Sequence, residues 1–256
     1  MKNVNNSLVC FFDSGIGGIS LLCECVKILP CVDFAYFADN YNVPYGNFSH
    51  DELIEKVDGI FIEIEKLNPA AAVVACNTVT AHCIEHLRNK FKFEIIGIQP
   101  AVKPAAKNGS CVVLATPSTA QSASLKGLVA EFGENRTQVV ACPYLATYVE
   151  ENIGAFTDSA IESMLPKVET DGIVLGCTHY VFIEEAIKRF YNCPVYDGIA
   201  ATAAHLREKL GNSVHCSQRA QEIHFFGGDS GKNKAIFRSI LQANGGLSQN
   251  CLQNPT

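Results

Sequence analysis

The stretch AAAVVACNT at residues 70–78 runs from a short apolar segment into a cysteine, and GIVLGCTH at residues 172–179 repeats the pattern. Apolar runs of this kind form buried parallel strands. Cys76 and Cys177 are therefore expected at the carboxyl ends of two strands, the edge at which open α/β sheets bind ligands. The helix beyond such an edge presents free N–H groups, which favour a thiolate. The repeat predicts two similar half-proteins that face one cleft, with a thiol on each wall for two-base proton chemistry.

The rest of the chain alternates between strand-like and helix-like segments. Further strands are predicted at 8–12, 34–37, 95–98, 112–115, 139–141, 195–197 and 222–226, and apolar residues at helical spacing predict helices that include 51–67 and 199–210. The expected fold is α/β, with two similar lobes that each contain a mostly parallel sheet flanked by helices, and with the active site in the cleft between them. The repeat places the first lobe at 1–97 plus 206–256 and the second lobe at 98–205.

The composition limits the partners that the protein can have. Of the 256 residues, 48% are hydrophobic and 18% are charged, and the formal net charge is −6. The charges are scattered, so the clustered basic surface of a nucleic-acid binder is not expected. No run reaches the roughly 18 apolar residues of a membrane helix, and the start of the chain makes a poor signal peptide. We therefore expect a cytoplasmic protein that binds neither nucleic acid nor membrane, and whose twelve cysteines are mostly free thiols.

Three short motifs suggest other chemistry and are set aside. HCIEH at 82–86 matches a zinc-peptidase pattern, but no third ligand is evident, so no metal site is expected. GGDSGK at 227–232 has the wrong glycine spacing for a P-loop, and Asn233 stands where a magnesium-binding Ser or Thr belongs. GIGG at 15–18 lacks the third glycine of a dinucleotide turn.

A hydrolase with a single cysteine nucleophile is the stronger rival, because His179 lies two residues from Cys177 and Asn77 lies beside Cys76. Acyl transfer would need one cysteine, however, and duplication of the whole strand-Cys-Thr unit is better explained when both thiols act. Among the carboxylates, Asp13 follows a predicted strand and opens a glycine turn, where side chains commonly face a ligand. Glu150, on a predicted helix, is a second candidate.

Taken together, five motifs identify a resemblance. They are FDSGIGG at 12–18, VPYG at 43–46, ACNT at 75–78, QS at 121–122 and GCTH at 176–179. In this order, over most of the chain, they resemble the glutamate racemases of the aspartate/glutamate racemase superfamily, which work without a cofactor. The resemblance implies that free glutamate binds between the lobes, that D-glutamate is made for bacterial peptidoglycan, and that no cofactor or metal takes part. It also implies a possible homodimer.

The resemblance also assigns roles to individual residues. Cys76 and Cys177 become the acid/base pair on opposite faces of the substrate α-carbon, with Cys76 serving D-glutamate and Cys177 serving L-glutamate. Asp13 is expected to assist Cys76, and His179 and Glu150 are expected to assist Cys177. The positions expected to hold the substrate are Asp13, Ser14, Pro44, Tyr45, Gly46, Asn77, Thr78, Thr116, Thr119, Thr178 and His179.

Four positions depart from the family pattern. Asn42 stands where a basic residue is common, Gln99 replaces a Glu, Ala115 replaces a Gly, and Val181 replaces a Pro. None of them removes an expected acid/base group. Two alternatives stay open at this point: an aspartate or broader amino-acid racemase of the same superfamily, and a non-catalytic protein that binds acidic amino acids.

Overall fold

A computed structural model describes residues 8–211 and 221–243. Within them, nine strands form two sheets in which every pairing is parallel. The first sheet has the order β4-β3-β1-β2-β9, and its strands are β1 (Leu8–Asp13), β2 (Asp33–Ala38), β3 (Ala71–Val74), β4 (Glu94–Gly97) and β9 (Ile223–Phe226). The second has the order β6-β5-β7-β8, and its strands are β5 (Cys111–Ala115), β6 (Thr137–Ala141), β7 (Ile173–Gly176) and β8 (Val195–Tyr196). The predicted α/β fold is confirmed.

Helices connect the strands and cover both sheets, as parallel pairing requires. They are α1 (Ile19–Ile28), α2 (His50–Lys66), α3 (Asn77–Lys90), α4 (Val102–Asn108), α5 (Pro117–Gln121), α6 (Ala123–Phe132), α7 (Leu145–Glu151), α8 (Asp158–Met164), α9 (Glu184–Tyr191), α10 (Ile199–Leu210) and α11 (Ser230–Ala243). Two 3₁₀ helices, Tyr45–Asn47 and Thr178–Ile183, lie at the cleft. No described helix has the length and apolar character needed to cross a bilayer.

The first sheet is buried on both faces, which explains why its strands read as continuous apolar runs. Because successive side chains on a strand point to opposite faces, Phe11 packs in the core beneath α1, α10 and α11, whereas Phe12 packs in the core beneath α2 and α3. The second sheet repeats this arrangement. Leu114 faces α7, α8 and α9, and Val113 faces α4 and α6.

The chain crosses between the lobes near α10. Ala203 and Leu206 on this helix belong to the core that covers the first sheet, and β9 pairs with β2 beyond it. The boundaries 1–97 plus 206–256 and 98–205 remain a proposal, and the contacts of Ala203 favour a crossing slightly before residue 206. Nine cysteines of the described residues are free thiols, and Cys31 is disulfide-bonded.

Candidate active site

Asp13 ends β1 at the floor of the cleft and is completely buried. Its Oδ1 accepts a hydrogen bond from the Gly15 N–H at 2.8 Å, and its Oδ2 accepts one from Thr178 Oγ1 at 3.1 Å. Burial raises the pKa of this carboxyl to about 6, although the nearby His179 and the two hydrogen bonds oppose the rise. Asp13 thus joins the turn after β1 to Thr178 of the second lobe, and its buried carboxyl is a weaker acid than an ordinary aspartate.

The glycine turn after Asp13 is needed for close contact between the lobes. A Cβ at Gly15 would overlap Glu150 Oε2, and a Cβ at Gly17 would overlap Thr178 Oγ1. Both obstacles are side chains of the second lobe, reached across the cleft. The glycines therefore serve close approach, for which a residue without Cβ is required.

Cys76 lies directly before α3, in an extended conformation, and is 5% exposed. Its Sγ is 3.7 Å from Ser14 Oγ. Burial and the negative charge of Asp13 raise the pKa of the thiol to about 12, and a hydrogen bond from the Val79 N–H acts in the opposite direction. These surroundings therefore favour the neutral thiol at this position.

Cys177 lies at the matching place in the second lobe, directly before the 3₁₀ helix 178–183, and is 7% exposed. Its Sγ is 3.8 Å from Nδ1 of His179, and Nε2 of the same ring is 2.7 Å from Glu150 Oε2. Burial opposes a charge on His179, but the bonds to Cys177 and Glu150 outweigh it and hold the pKa of the imidazole well above its ordinary value. A cysteine, a histidine and a glutamate thus form one hydrogen-bonded chain.

Glu150 is buried on α7 and has a partner for each oxygen. Oε2 also accepts from the Ile16 N–H at 2.9 Å, and Oε1 accepts from Asn40 Nδ2 at 2.7 Å. Burial raises the pKa of the carboxyl, yet these donors and His179 lower it by more, so the net shift is downward. The carboxylate therefore stays charged and supports a charged imidazole.

Three threonines join the two lobes at one side of the cleft. Thr78 Oγ1 lies 3.1 Å from the hydroxyls of both Thr116 and Thr119, and these two lie 3.0 Å from one another. All three are buried. Their hydroxyls form a cluster of donors and acceptors contributed by α3 and by the start of α5.

The segment Pro44-Tyr45-Gly46 also reaches the cleft. The Tyr45 hydroxyl donates to Asp39 Oδ2 at 2.7 Å, which anchors this buried ring, and a Cβ at Gly46 would lie 3.0 Å from the Cβ of Thr116. Asn77 is buried at the first position of α3. It lines a cavity of about 460 Å³ with Gln99 and residues of α6, and neither thiol lines that cavity.

The contacts at this site include residues that the sequence did not indicate. Asn40 directly bonds Glu150, and Asn233 on α11 bonds Asn40 at 2.9 Å. By contrast, the two histidines of the HCIEH motif have separate partners, since His82 bonds Ser118 and His86 bonds Asp58. Within residues 8–211 and 221–243, no group of histidine, cysteine and acidic side chains is arranged to hold a metal ion.

Comparison with known proteins identifies the family. The family model for Asp/Glu/Hydantoin racemase matches residues 42–206. The glutamate racemase of Clostridium novyi is 42% identical over 216 residues, which are 78% of this chain and 82% of that protein. The chain belongs to the glutamate racemase family. It is therefore a racemase, an enzyme of the isomerase class, and the resemblance seen in the sequence is confirmed.

Two solved glutamate racemases have the same fold as this racemase. The enzyme of Escherichia coli, in complex with L-glutamate and the activator UDP-MurNAc-Ala, superposes with a TM-score of 0.80 at 28% identity, covering 94% of this chain and 96% of that one. An isoform from Bacillus anthracis superposes with a TM-score of 0.81 at 27% identity, covering 98% and 99%. The fold of this racemase matches theirs over nearly its full length.

Proposed function

We propose that this racemase interconverts L-glutamate and D-glutamate without a cofactor, with Cys76 and Cys177 as the two bases. The observation that carries the proposal is the pair of buried cysteines at equivalent strand ends of the two lobes, each directly before the first turn of a helix. The glutamate named for the relatives, including the L-glutamate bound in the Escherichia coli structure, supports this choice of substrate.

The two thiols differ in a way that suits one turnover. Racemisation needs one thiolate to remove the α-proton and one thiol to supply a proton on the opposite face. His179, held charged by Glu150, is a cation 3.8 Å from Cys177 Sγ and interacts favourably with a thiolate there. Burial and Asp13 keep Cys76 as a thiol. In the direction from L-glutamate, Cys177 takes the α-proton and Cys76 returns a proton to the opposite face.

The reverse direction requires the opposite protonation states. Cys76 must lose its proton when D-glutamate is bound, and the ammonium group of the substrate brings a positive charge into the cleft that favours this loss. Asp13, bonded to Thr178 across the cleft, is the carboxylate placed to receive that ammonium or to assist Cys76. We assign it the assisting role that the resemblance implies.

Removal of the α-proton produces a carbanion-like state that must be stabilised without an electron sink. Preorganised donors in a dry site can supply that stabilisation. The N–H groups at the start of α3 and of the helix 178–183 lie next to the two thiols. The buried hydroxyls of Thr78, Thr116 and Thr119 form one cluster, and the Thr178 hydroxyl bonds Asp13. We propose that these groups, with Ser14, Asn77 and the backbone of Pro44-Tyr45-Gly46, bind the two carboxylates of the substrate.

The wider role follows from the same proposal. Its product, D-glutamate, is the building block that the family resemblance associates with bacterial peptidoglycan, and we propose this use, in the cytoplasm, for this racemase. Homodimer formation remains a prediction.

The test is a chiral assay of the purified protein without added cofactor, using L-glutamate, D-glutamate and L-aspartate in parallel. We expect equal values of kcat/KM for the two glutamate enantiomers, because enantiomers have equal free energies in water. We also expect aspartate to react at least tenfold more slowly, since one methylene is worth about 1 to 3 kcal/mol in a fitted pocket. If aspartate reacted faster than glutamate, aspartate would be the substrate. If neither amino acid reacted, the proposal that the protein is catalytic would be refuted.

A further inference from the structure

The segment 227–233, whose glycine spacing differs from that of a P-loop, forms a tight turn against the end of β2. Gly227 and Gly228 have φ values of +71° and +40°, a region that favours glycine. A Cβ at Gly228 would overlap Asn40 Oδ1, so the turn packs directly on the end of β2. Asp229 Oδ1 then accepts from the Lys232 N–H at 2.9 Å, which satisfies a free donor at the start of α11. The motif therefore builds a rigid helix start next to Asn40.

Two side chains of this helix start are directed toward Glu150. Asn233, which is completely buried, donates from Nδ2 to Asn40 Oδ1 at 2.9 Å, and Asn40 Nδ2 donates to Glu150 Oε1 at 2.7 Å. Lys232 Nζ donates to the main-chain oxygen of Glu150 at 3.0 Å and lies 4.0 Å from Oε1. A hydrogen-bonded chain thus runs from α11 through Asn40 to the carboxylate that contacts His179.

We propose that Asn40, Lys232 and Asn233 are positioning residues for racemisation, which hold Glu150 so that its Oε2 stays bonded to His179. The inference rests on the proposed function, because it matters only if His179 acts on Cys177. Because a carboxylate can rotate about its last bond, Oε1 must be fixed if Oε2 is to keep its hydrogen bonds to His179 and to the Ile16 N–H. Asn40 fixes Oε1, and Asn233 fixes Asn40.

The orientation of the Asn40 amide is the critical feature. A buried amide presents a donor to Glu150 only while its oxygen is bonded elsewhere, and Asn233 Nδ2 is the donor that occupies that oxygen. Without this donor the amide can turn and direct its oxygen at Oε1. Oxygen facing carboxylate oxygen is repulsive, and Glu150 would then move away from His179.

The groups that act on His179 come from several elements. They are Asp13 on β1, Glu150 on α7 and Cys177 after β7, and Lys232 on α11 approaches through Glu150. An uncharged substitution at Asn233 leaves all of these charges in place and adds none. A change in the titration of His179 in such a variant would therefore report a movement of Glu150 and not the loss of a charge.

The test compares Asn233→Leu and Asn233→Ala with wild type. Leucine branches at the same carbon as asparagine and carries no charge, but it cannot donate to Asn40, so the protein should fold while the amide turns. We expect kcat to fall by about 10²-fold, with KM within about threefold, because a displacement of about 1 Å in a catalytic group has an effect of this size. The imidazole pKa of His179, followed by NMR, should fall. Asn108→Ala, which removes a surface amide bonded to Pro104 and Tyr196, is the matched control and should change neither quantity.

Lys232→Met is a second test of the proposal, and this substitution opens no cavity in the core. This side chain is partly exposed, so the variant should melt close to wild type and lose roughly three- to tenfold in kcat. A kcat within twofold of wild type in Asn233→Leu, together with an unchanged His179 titration, would overturn the inference. That outcome differs from failure of the proposed function, in which the wild-type protein itself would not racemise glutamate.

Discussion

Asp13 should make the protein less stable at neutral pH, and Asp13→Asn should therefore stabilise it. The carboxyl is completely buried, and burial raises its pKa from the ordinary value of 3.8 to about 6. Asparagine keeps the geometry, because its oxygen can accept from the Gly15 N–H and its amide can donate to the Thr178 hydroxyl, which accepts as well as donates. The substitution removes the charge without opening a cavity.

The size and pH range of the effect follow from linkage. A group whose pKa is higher in the native state than in the unfolded state binds more protons when folded, so native stability falls as pH rises through that range. The loss begins near pH 3.8 and is complete above about pH 6. A rise from 3.8 to 6 corresponds to about 3 kcal/mol. Asp13→Asn should therefore be more stable than wild type by up to about 3 kcal/mol at pH 7.5, and by almost nothing at pH 3.5.

Urea unfolding of both proteins at several pH values measures this difference. For a typical m value, the midpoint of the variant should lie roughly 1 M higher at pH 7.5. Asp171→Asn is a useful contrast, because the pKa of exposed Asp171 is lowered by hydrogen bonds from Ser110 and its loss should destabilise the protein at neutral pH. The reasoning is refuted if Asp13→Asn is less stable than wild type at pH 7.5, or if the difference does not depend on pH. The stabilised variant should also have lost most of its racemase activity.

Three further outcomes are expected. Glu150→Gln removes the charge that supports the His179 imidazolium, so the alkaline limb of the pH profile of kcat/KM should move to lower pH. An alkaline limb at the wild-type pH would contradict the interaction between Glu150 and His179. Gly17→Ala places a methyl group against His179 Nδ1 and should lower kcat by about 10²-fold. Gly59→Ala is the control, because Gly59 lies in α2 with open space around it, and activity should be unchanged. Equal activity of the two variants would show that the lobes need no close contact at Gly17. Thr78→Val removes the hydroxyl that bonds Thr116 and Thr119, and it should raise KM more than it lowers kcat. The free energy of unfolding should fall by about 1 kcal/mol. A change in kcat alone would argue against a role of Thr78 in substrate binding.

The parts of the molecule that the sequence predicts well are those encoded by local pattern. The apolar runs before Cys76 and Cys177 indicate buried parallel strands because both faces of each sheet are covered by helices. Their carboxyl ends then indicate the cleft. This pattern and the family resemblance together predict the two thiols, Asp13, His179 and Glu150, and the structure brings their side chains together.

The connections to Asn40 and α11 could not be predicted in the same way. Asn40 and Glu150 are 110 positions apart, and Asn40 and Asn233 are 193 apart, so no local periodicity relates them. Asparagine is also common in turns for local reasons, which hides a long-range role. The glycines of GGDSGKN are visible in the sequence, but their close packing on the end of β2 depends on the fold.

The central claim is that both cysteines exchange the α-proton, one on each face of the substrate. Proton NMR of L-glutamate with purified enzyme in deuterated water, without cofactor, tests it most directly when wild type is compared with Cys76→Ser and Cys177→Ser. Wild type should produce D-glutamate carrying deuterium at the α-carbon, and each serine variant should racemise at least roughly a hundredfold more slowly, because an alcohol is a far weaker acid than a thiol. A serine variant that racemises at the wild-type rate would contradict the two-base account.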